Sequence, residues 1–149
     1  DAGHIAAPNA EGEGAKAAMK AAIVHAGISP DQIDYINAHG TSTPLGDVAE
    51  VAAVKDLFGD HAYKLAMSST KSCTGHTLGA AGGLESIAVV KAICDGVIPP
   101  TINLDQPDEG FDLNFVANEA QEREINITLN NSFGFGGHNV SIAIAAFKD

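Results

Sequence analysis

The chain has 149 residues, of which 45% are hydrophobic, and its formal net charge is -11 at pH 7. This length and composition predict one soluble globular domain with a sizeable core, and the strong negative charge argues against nucleic acid as a partner. No apolar run approaches the roughly 20 residues that a membrane-spanning helix requires, so no membrane partner is expected.

The chain contains two cysteines, Cys73 and Cys94. Two cysteines do not make a disulfide framework, which favours a reducing cytoplasm as the location. No basic start followed by an apolar run is present, so no export signal is predicted. The sequence begins with Asp1 rather than Met, and we interpret it as a fragment or a processed piece of a longer protein.

The first half of the chain predicts two helices that flank a strand. Residues 15–25 (AKAAMKAAIVH) have apolar side chains at helical spacing, and Gly27 is the expected C-terminal cap. Residues 33–38 (IDYINA) indicate a buried strand. A second helix is predicted over 46–58, ended by Gly59. Its inward-facing residues are expected to be Val48, Val51, Ala52 and Leu57.

The middle of the chain predicts a short strand at 65–67 and a third helix at 80–94. This helix is apolar almost throughout, so it is expected to be buried on most sides. Residues 96–124 contain proline signals and acidic side chains, which indicate a long, mostly extended surface connection.

The end of the chain shows strand alternation at 125–129 and at 140–147. The ten residues between them, 130–139 (NNSFGFGGHN), are predicted to form a glycine-rich loop. Strands alternating with helices, followed by a final antiparallel pair, indicate an α/β layered domain.

Three polar loops each follow a predicted strand: 39–44, 70–75 and 132–137. If the first two strands are parallel, their carboxyl ends share one edge of the sheet, and His39 should lie near Lys71 and His76. Two imidazoles and an ammonium group in a cleft can donate hydrogen bonds to a developing oxyanion, or can position a proton.

Each of these candidates also has a purely structural interpretation. The histidines and Lys71 could be ordinary turn residues, and Glu85 could be a first-turn carboxylate that favours a helix N-terminus. Cys73 and His76 have the spacing of half a zinc site, but no second Cys/His pair supplies the other ligands, so no metal is expected. Cys73 could be a nucleophile or, more simply, a small buried thiol, and Cys94 is predicted to lie in the core.

Four motifs carry a family resemblance: NAHGTSTPLGDVAE (37–50), SSTKSCTGHTLGAAGGLESI (68–87), IPPTINLDQPDEG (98–110) and NNSFGFGGHN (130–139). Through these motifs the chain resembles the C-terminal half of β-ketoacyl-acyl-carrier-protein synthases, the condensing enzymes of fatty acid synthesis. The third motif resembles that of the type II enzyme more than that of type I. Modular polyketide condensing domains share the His-Gly-Thr and Gly-His motifs and are a near neighbour.

The resemblance implies a thiolase-like α/β fold, with residues 1–149 forming part of the C-terminal domain and the first strand of its sheet missing. It also implies decarboxylative condensation of a malonyl-carrier protein with an acyl group held on a cysteine. His39 and His76 match the family histidines that bind the malonyl thioester carbonyl and stabilise the enolate. Lys71 matches the lysine that supports this site, and Glu85 matches the carboxylate behind it.

The resemblance further assigns residues to the substrate arm. Thr41 and Thr43 match hydroxyls that contact phosphopantetheine, and Phe135 matches a gating phenylalanine whose backbone N–H contributes to the oxyanion hole. Phe133 and Gly134, in the same motif, are expected to bind substrate. No resident cofactor is implied, because the substrate is carried on the phosphopantetheine of acyl-carrier protein.

The family nucleophile belongs to an N-terminal half that this sequence does not contain, and neither Cys73 nor Cys94 aligns with it. The expected partners are therefore acyl-carrier protein, the missing N-terminal half and, in the complete enzyme, a second copy of itself. Because a missing strand leaves an unpaired sheet edge, we predict that the chain alone is unstable or aggregates and cannot condense substrates. A non-catalytic remnant that binds carrier protein, and a thiol enzyme using Cys73 with His76, are the rival interpretations.

Overall fold

The structure is a computed structural model that describes His4, Ala7, Asn9 and residues 11–147. Its helices are α1 (Glu13–Ala26), α2 (Pro44–Phe58), α3 (Lys71–Thr74) and α4 (Ala81–Asp95). Its strands are β1 (Tyr35–Asn37), β2 (Ala66–Ser68), β3 (Val97–Ile98), β4 (Gln121–Glu122), β5 (Ile127–Gly134) and β6 (His138–Ala145). None of the helices in this described part is long and apolar enough to cross a membrane.

The central sheet has four strands in the order β2-β1-β5-β6. Strand β1 is parallel to both β2 and β5, whereas β5 and β6 are antiparallel. The carboxyl ends of β1, β2 and β5 therefore lie at one edge of the sheet. The predicted α/β class and the predicted final antiparallel pair are both confirmed.

The core is divided between the two faces of this sheet, which gives the layered arrangement. Helices α1 and α2 cover one face, where Met19, Ile36, Val54 and Leu129 belong to one buried cluster. On the other face α4 contributes Val89 to a second cluster. The other fully or nearly fully buried members of that second cluster are Tyr35, Ala66, Ala92, Ile98, Val116 and Ile125.

The first two helices follow the sequence prediction closely. Helix α1 ends at Gly27, whose left-handed conformation (φ 68°) makes it the predicted cap. Helix α2 begins at Pro44, two residues earlier than predicted, with Pro in the first turn where its missing N–H has no consequence. Val51 faces inward as predicted, but Val48 is exposed, because α2 packs through the face that carries Ala49 and Ala53.

Helix α4 differs from the prediction that it is buried on most sides. Its buried residues, Ala81, Glu85, Val89 and Ala92, form a single face. Leu84, Ile87 and Val90 are between 45% and 63% exposed. The prediction for Cys94 was also wrong, because this thiol is exposed. The helix packs on the sheet with one face only, and its apolar composition could not show this.

The predicted ten-residue loop 130–139 is mostly strand. The β5–β6 ladder continues from Ile127 to the pair Gly134–His138, so only Phe135–Gly137 remain as a tight turn. Gly136 has φ 74°, a conformation that favours glycine. Asparagine and glycine are poor strand formers, which explains why local sequence did not predict the extension. Within the described sheet β6 is the outer strand.

The connection between α4 and β5 is mostly irregular, as predicted, but it contains the short antiparallel pair β3–β4. It also runs beside β2, where the Met67 N–H donates to the Asn114 carbonyl at 2.9 Å. This contact covers the outer edge of β2.

Candidate active site

Three loops converge at the edge of the sheet where β1, β2 and β5 end. The ring centroids of His39 and His76 are 5.7 Å apart, with the planes at 87°. The ring of Phe133, on β5, is also 5.7 Å from the His39 ring. The expected approach of His39 to the loop after β2 is therefore present in the structure.

The backbone beside His39 is held by its neighbours on α2 and on the loop after β2. The carboxylate of Glu50 accepts the N–H groups of His39 and Gly40 at 3.0 and 2.9 Å. Ser69 donates its hydroxyl to the Gly40 carbonyl at 2.7 Å. Gly40 has φ 36°, and a Cβ at this position would lie 2.6 Å from the Cβ of Ser69. Glycine is therefore required for the two loops to approach this closely.

The environment of His39 keeps its imidazole neutral. Burial lowers the pKa of His39 to about 4, and electrostatic interactions with Lys71 and His76 act in the same direction. At neutral pH this ring therefore has one N–H to donate and carries no charge.

His76 presents a defined ring nitrogen to solvent. Its Nδ1 accepts the backbone N–H of Leu78 at 3.2 Å, so the proton of the neutral ring resides on Nε2. The turn that provides this contact places Leu78 at φ 53°. The exposed edge of His76 is therefore a hydrogen-bond donor.

Lys71 and Glu85 form an ion pair inside the protein, with side chains that are only 5% and 3% exposed. Lys71 begins the one-turn helix α3, and Glu85 lies on the buried face of α4. Among the described residues, Glu85 is the one ionic partner of the buried Lys71 cation.

A cavity of about 380 Å³ opens beside these residues. Gly40, Thr41, Lys71 and His76 line one part of it. Side chains of the α4–β5 connection line the apolar part: Ile102, Leu104, Phe111 and Phe115. Thr43 lies beside this cavity, with its hydroxyl oxygen 3.1 Å from that of Thr41.

The β5–β6 turn places its two phenylalanines differently. Phe133 is partly buried, packs against the core and contacts His39. Phe135 lies at the tip of the turn and is 80% exposed, next to the exposed Gly134. The structure therefore brings Phe133 to His39, whereas the Phe135 ring extends into solvent.

Cys73 is exposed, so the prediction of a small buried thiol was wrong. Helix α3 is a single turn, and Lys71 occupies its buried position. Two residues further along, a side chain points to the opposite side of the helix. The Cys73 sulfur lies 3.9 Å from the Pro100 carbonyl oxygen.

Sequence reasoning missed Glu50, Asp47 and Asn131. Glu50 is 2% exposed and accepts a third hydrogen bond from Asn131 Nδ2 at 3.0 Å. Burial raises the pKa of Glu50 and also that of Asp47. The sequence did contain a signal for Glu50, because it lies between Ala49 and Val51 on an apolar helix face. Acidic residues are seldom fully buried, so a carboxylate at such a position indicates a specific role.

Within the described part of the chain, no group of three or more His, Cys, Asp or Glu side chains is arranged to hold a metal ion.

The family described as beta-ketoacyl synthase, C-terminal domain, matches residues 1–105. The chain belongs to this family. It is 56% identical over 149 residues to 3-oxoacyl-(acyl-carrier-protein) synthase 2 of Coxiella burnetii, and 49% identical over 148 residues to the protein of that name in Synechocystis. These alignments cover 100% and 99% of this chain but 36% of each relative, so the chain spans about a third of their length.

Solved structures agree with this assignment. A ketosynthase of Burkholderia phymatum described as a beta-ketoacyl synthase superposes with a TM-score of 0.92 at 36% identity, over 99% of this chain and 35% of that one. A type II PKS ketosynthase in complex with its acyl-carrier protein superposes with a TM-score of 0.96 at 35% identity, over 99% of this chain and 36% of that one. The thiolase-like fold implied by the sequence motifs is confirmed.

Proposed function

We propose that this chain supplies the two-histidine part of the active site of a β-ketoacyl-acyl-carrier-protein synthase of fatty acid elongation. The observation that carries the proposal is the pair His39 and His76, which stand 5.7 Å apart at one sheet edge. The relatives named 3-oxoacyl-(acyl-carrier-protein) synthase 2 support the reaction class.

In the proposed reaction, the bond between the malonyl α-carbon and its carboxylate breaks and CO2 leaves. The bonding electrons move into the thioester, which becomes an enolate with negative charge on its oxygen. Neutral imidazole N–H groups stabilise this charge more than they stabilise the ground-state carbonyl. The enolate carbon then attacks the acyl thioester on the nucleophilic cysteine, and the cysteine thiolate leaves.

Lys71 supports this site through its charge. Its cation helps to hold the pKa of His39 low, so that His39 remains a neutral donor. In this proposal Glu85 keeps the Lys71 ammonium group in place, and the nucleophile comes from outside the 149 residues.

The proposed substrate carrier is acyl-carrier protein, whose phosphopantetheine would lie along Thr41 and Thr43, with Phe133, Gly134 and Phe135 around its reactive end. The adjacent threonine hydroxyls support this placement. So does the solved ketosynthase in complex with its acyl-carrier protein. Because the chain carries a net charge of -11, we expect the basic surface for an acidic carrier protein to lie in the rest of the enzyme.

We further propose that the complete enzyme is a cytoplasmic homodimer, and that its N-terminal half covers the apolar side chains that this chain exposes. Those on α4 are Leu84, Ile87 and Val90, and those on β6 are Val140 and Ile142. Several large apolar side chains exposed on neighbouring elements support an interaction surface there.

The test uses a hybrid enzyme in which these 149 residues replace the matching third of the Coxiella burnetii relative. Malonyl-carrier protein and an acyl-carrier protein are supplied, and CO2 release and β-ketoacyl product are measured. We expect His39→Ala and His76→Ala each to lower the rate about 100- to 1000-fold, the loss typical of removing one oxyanion donor. His25→Ala, in the exposed last turn of α1, is the matched control.

Rates within about twofold of the hybrid for both histidine variants would contradict the proposal, since removal of an oxyanion donor costs far more. An inactive hybrid that still binds carrier protein would favour the non-catalytic remnant instead.

A polyketide ketosynthase is the second candidate, because the solved type II PKS ketosynthase matches this chain at 35% identity. Mass spectrometry of the hybrid's products distinguishes the two. A fatty acid enzyme adds one two-carbon unit to a saturated acyl chain and stops, whereas a polyketide enzyme extends the unreduced β-keto product again.

A further inference from the structure

Glu50 is a buried carboxylate that the proposed reaction does not use directly. None of the ion pairs between described residues includes it. Its charge is balanced by three N–H donors: the backbones of His39 and Gly40, and the side chain of Asn131. An ionised acceptor makes stronger hydrogen bonds than a neutral one, so the carboxylate is a firm anchor for the loop that carries His39.

The third donor connects this anchor to the β5–β6 pair. Asn131 is fully buried on β5, and its Nδ2 donates to Glu50 Oε1 at 3.0 Å. Its Oδ1 accepts the hydroxyl of Ser141, on β6, at 2.8 Å. Because an ionised carboxylate can only accept, the amide nitrogen faces Glu50, and the amide oxygen is left to accept from Ser141.

We propose that Asn131 and Ser141 are positioning residues for His39, acting through Glu50. The inference rests on the proposed function and adds two residues to it. The same strand, β5, carries Phe133 against the His39 ring. The hydrogen-bonded series Ser141–Asn131–Glu50 therefore fixes the position of His39 relative to strand β5, which carries Phe133.

The protonation of Glu50 matters because the ionised carboxylate accepts hydrogen bonds more strongly than the protonated carboxyl group does. Burial raises the pKa of Glu50 and the charge of Asp47 adds to this, whereas the three N–H donors lower it. The other titratable groups at the site, Lys71 and His76, face His39. Without the Asn131 donor, Glu50 takes up its proton at a higher pH, and the His39 loop loses an acceptor.

The decisive variant is Asn131→Asp in the hybrid enzyme, which keeps the shape of the side chain but removes the donor. Two facing buried carboxylates repel when both are ionised and share a proton at lower pH. We expect the decarboxylation rate to fall about 10- to 100-fold at pH 8, the scale of a misplaced catalytic group. Near pH 6 the shared proton lets the introduced carboxyl group donate to Glu50 as the Asn131 amide does, so part of the loss should be recovered. KM for the malonyl thioester should change less than kcat.

Ser141 provides a second, milder test. Ser141→Ala removes the hydroxyl and should lower kcat about 2- to 10-fold, the worth of one hydrogen bond. Ser141→Thr retains the hydroxyl and should restore the hybrid's rate. The matched control for Asn131→Asp is Gln121→Glu, which also replaces an amide by a carboxylate. The Gln121 amide pairs with Asn114 away from the site, so this change should leave the rate unaltered.

The inference would be overturned if Asn131→Asp and Ser141→Ala both had the hybrid's rate at both pH values, in experiments where His39→Ala still lowers the rate as expected. A loss that is independent of pH in Asn131→Asp, and that Ser141→Thr shows as strongly as Ser141→Ala, would also overturn it, because damaged folding alone predicts that pattern. If Asn131→Asp prevents folding, the comparison of the two Ser141 variants decides the matter. If His39→Ala itself had the rate of the hybrid, the proposed function would be refuted instead.

Discussion

The buried pair of Lys71 and Glu85 provides the sharpest test of how this site is built. Both side chains are at least 95% buried, and each is the other's ionic partner. Replacing Lys71 alone by Met leaves a carboxylate inside the protein without a cation. We expect this single change to destabilise the protein severely, because a charge without a partner cannot be returned to water.

The expected magnitude follows from the burial. Removing one member of a buried ion pair costs about 3 to 5 kcal/mol. This chain makes up 36% of the relative, so the hybrid enzyme has about 410 residues, and the loss corresponds to a fall of about 3 to 6 °C in its Tm. Glu85→Leu alone leaves the Lys71 ammonium group unpaired and should cost a similar amount. The double variant Lys71→Met with Glu85→Leu should unfold within about 1 to 2 kcal/mol of the hybrid, since apolar residues can replace a buried pair.

The assay combines thermal unfolding of the hybrid enzyme, followed by circular dichroism, with the decarboxylation rate. The double variant should recover stability but not activity, because the cation near His39 is gone; we expect its rate to remain at least about tenfold down. Additive losses, with the double variant less stable than either single variant, would refute the reasoning about burial. Full activity in the double variant would refute the electrostatic role of Lys71.

Further predictions concern the histidine loop and the exposed thiol. By NMR, His39 should titrate near pH 4, and Lys71→Met should raise its pKa. Because this pKa lies below the ordinary 6.5, the native state binds fewer protons than the unfolded chain, so stability should fall as the pH drops from about 6.5 to 4. A His39→Gln variant should lose that component of the pH dependence; an unchanged profile would contradict it. Gly40→Ala should lower the decarboxylation rate, because its Cβ would lie 2.6 Å from the Cβ of Ser69, and Ser69→Gly in the same protein should recover part of the loss. Cys73→Ala should retain the hybrid's condensation rate within about twofold, whereas complete loss would favour the thiol enzyme.

Local sequence was sufficient for the parts of the fold that depend on neighbouring residues. Apolar spacing predicted α1 and α2, and the Gly27 cap is the left-handed residue that the helix end requires. The strand that ends before His39 and the strand that ends before Lys71 were also predicted, and with them the approach of the two loops. These features follow from periodicity, glycine geometry and the parallel arrangement of the strands.

The errors fall where distant parts of the chain determine the environment. Helix α4 is uniformly apolar in sequence, yet only the face with Glu85 and Val89 meets the sheet. The asparagines before Phe133 indicated a loop, but pairing with β6 keeps them in a strand. Cys73 was predicted to be buried, whereas the single turn of α3 directs Lys71 inward and leaves the thiol exposed.

The sequence by itself determined the α/β class, the order of most elements and the identity of the histidines and the lysine, because local spacing and motif wording carry that information. Only the tertiary structure decided that Lys71 and Glu85 are a buried pair, that His39 is held neutral and that Glu50 anchors its loop. Burial and hydrogen-bond partners come from residues far apart in the chain, as Asn131 and Glu50 show, and no local pattern encodes them.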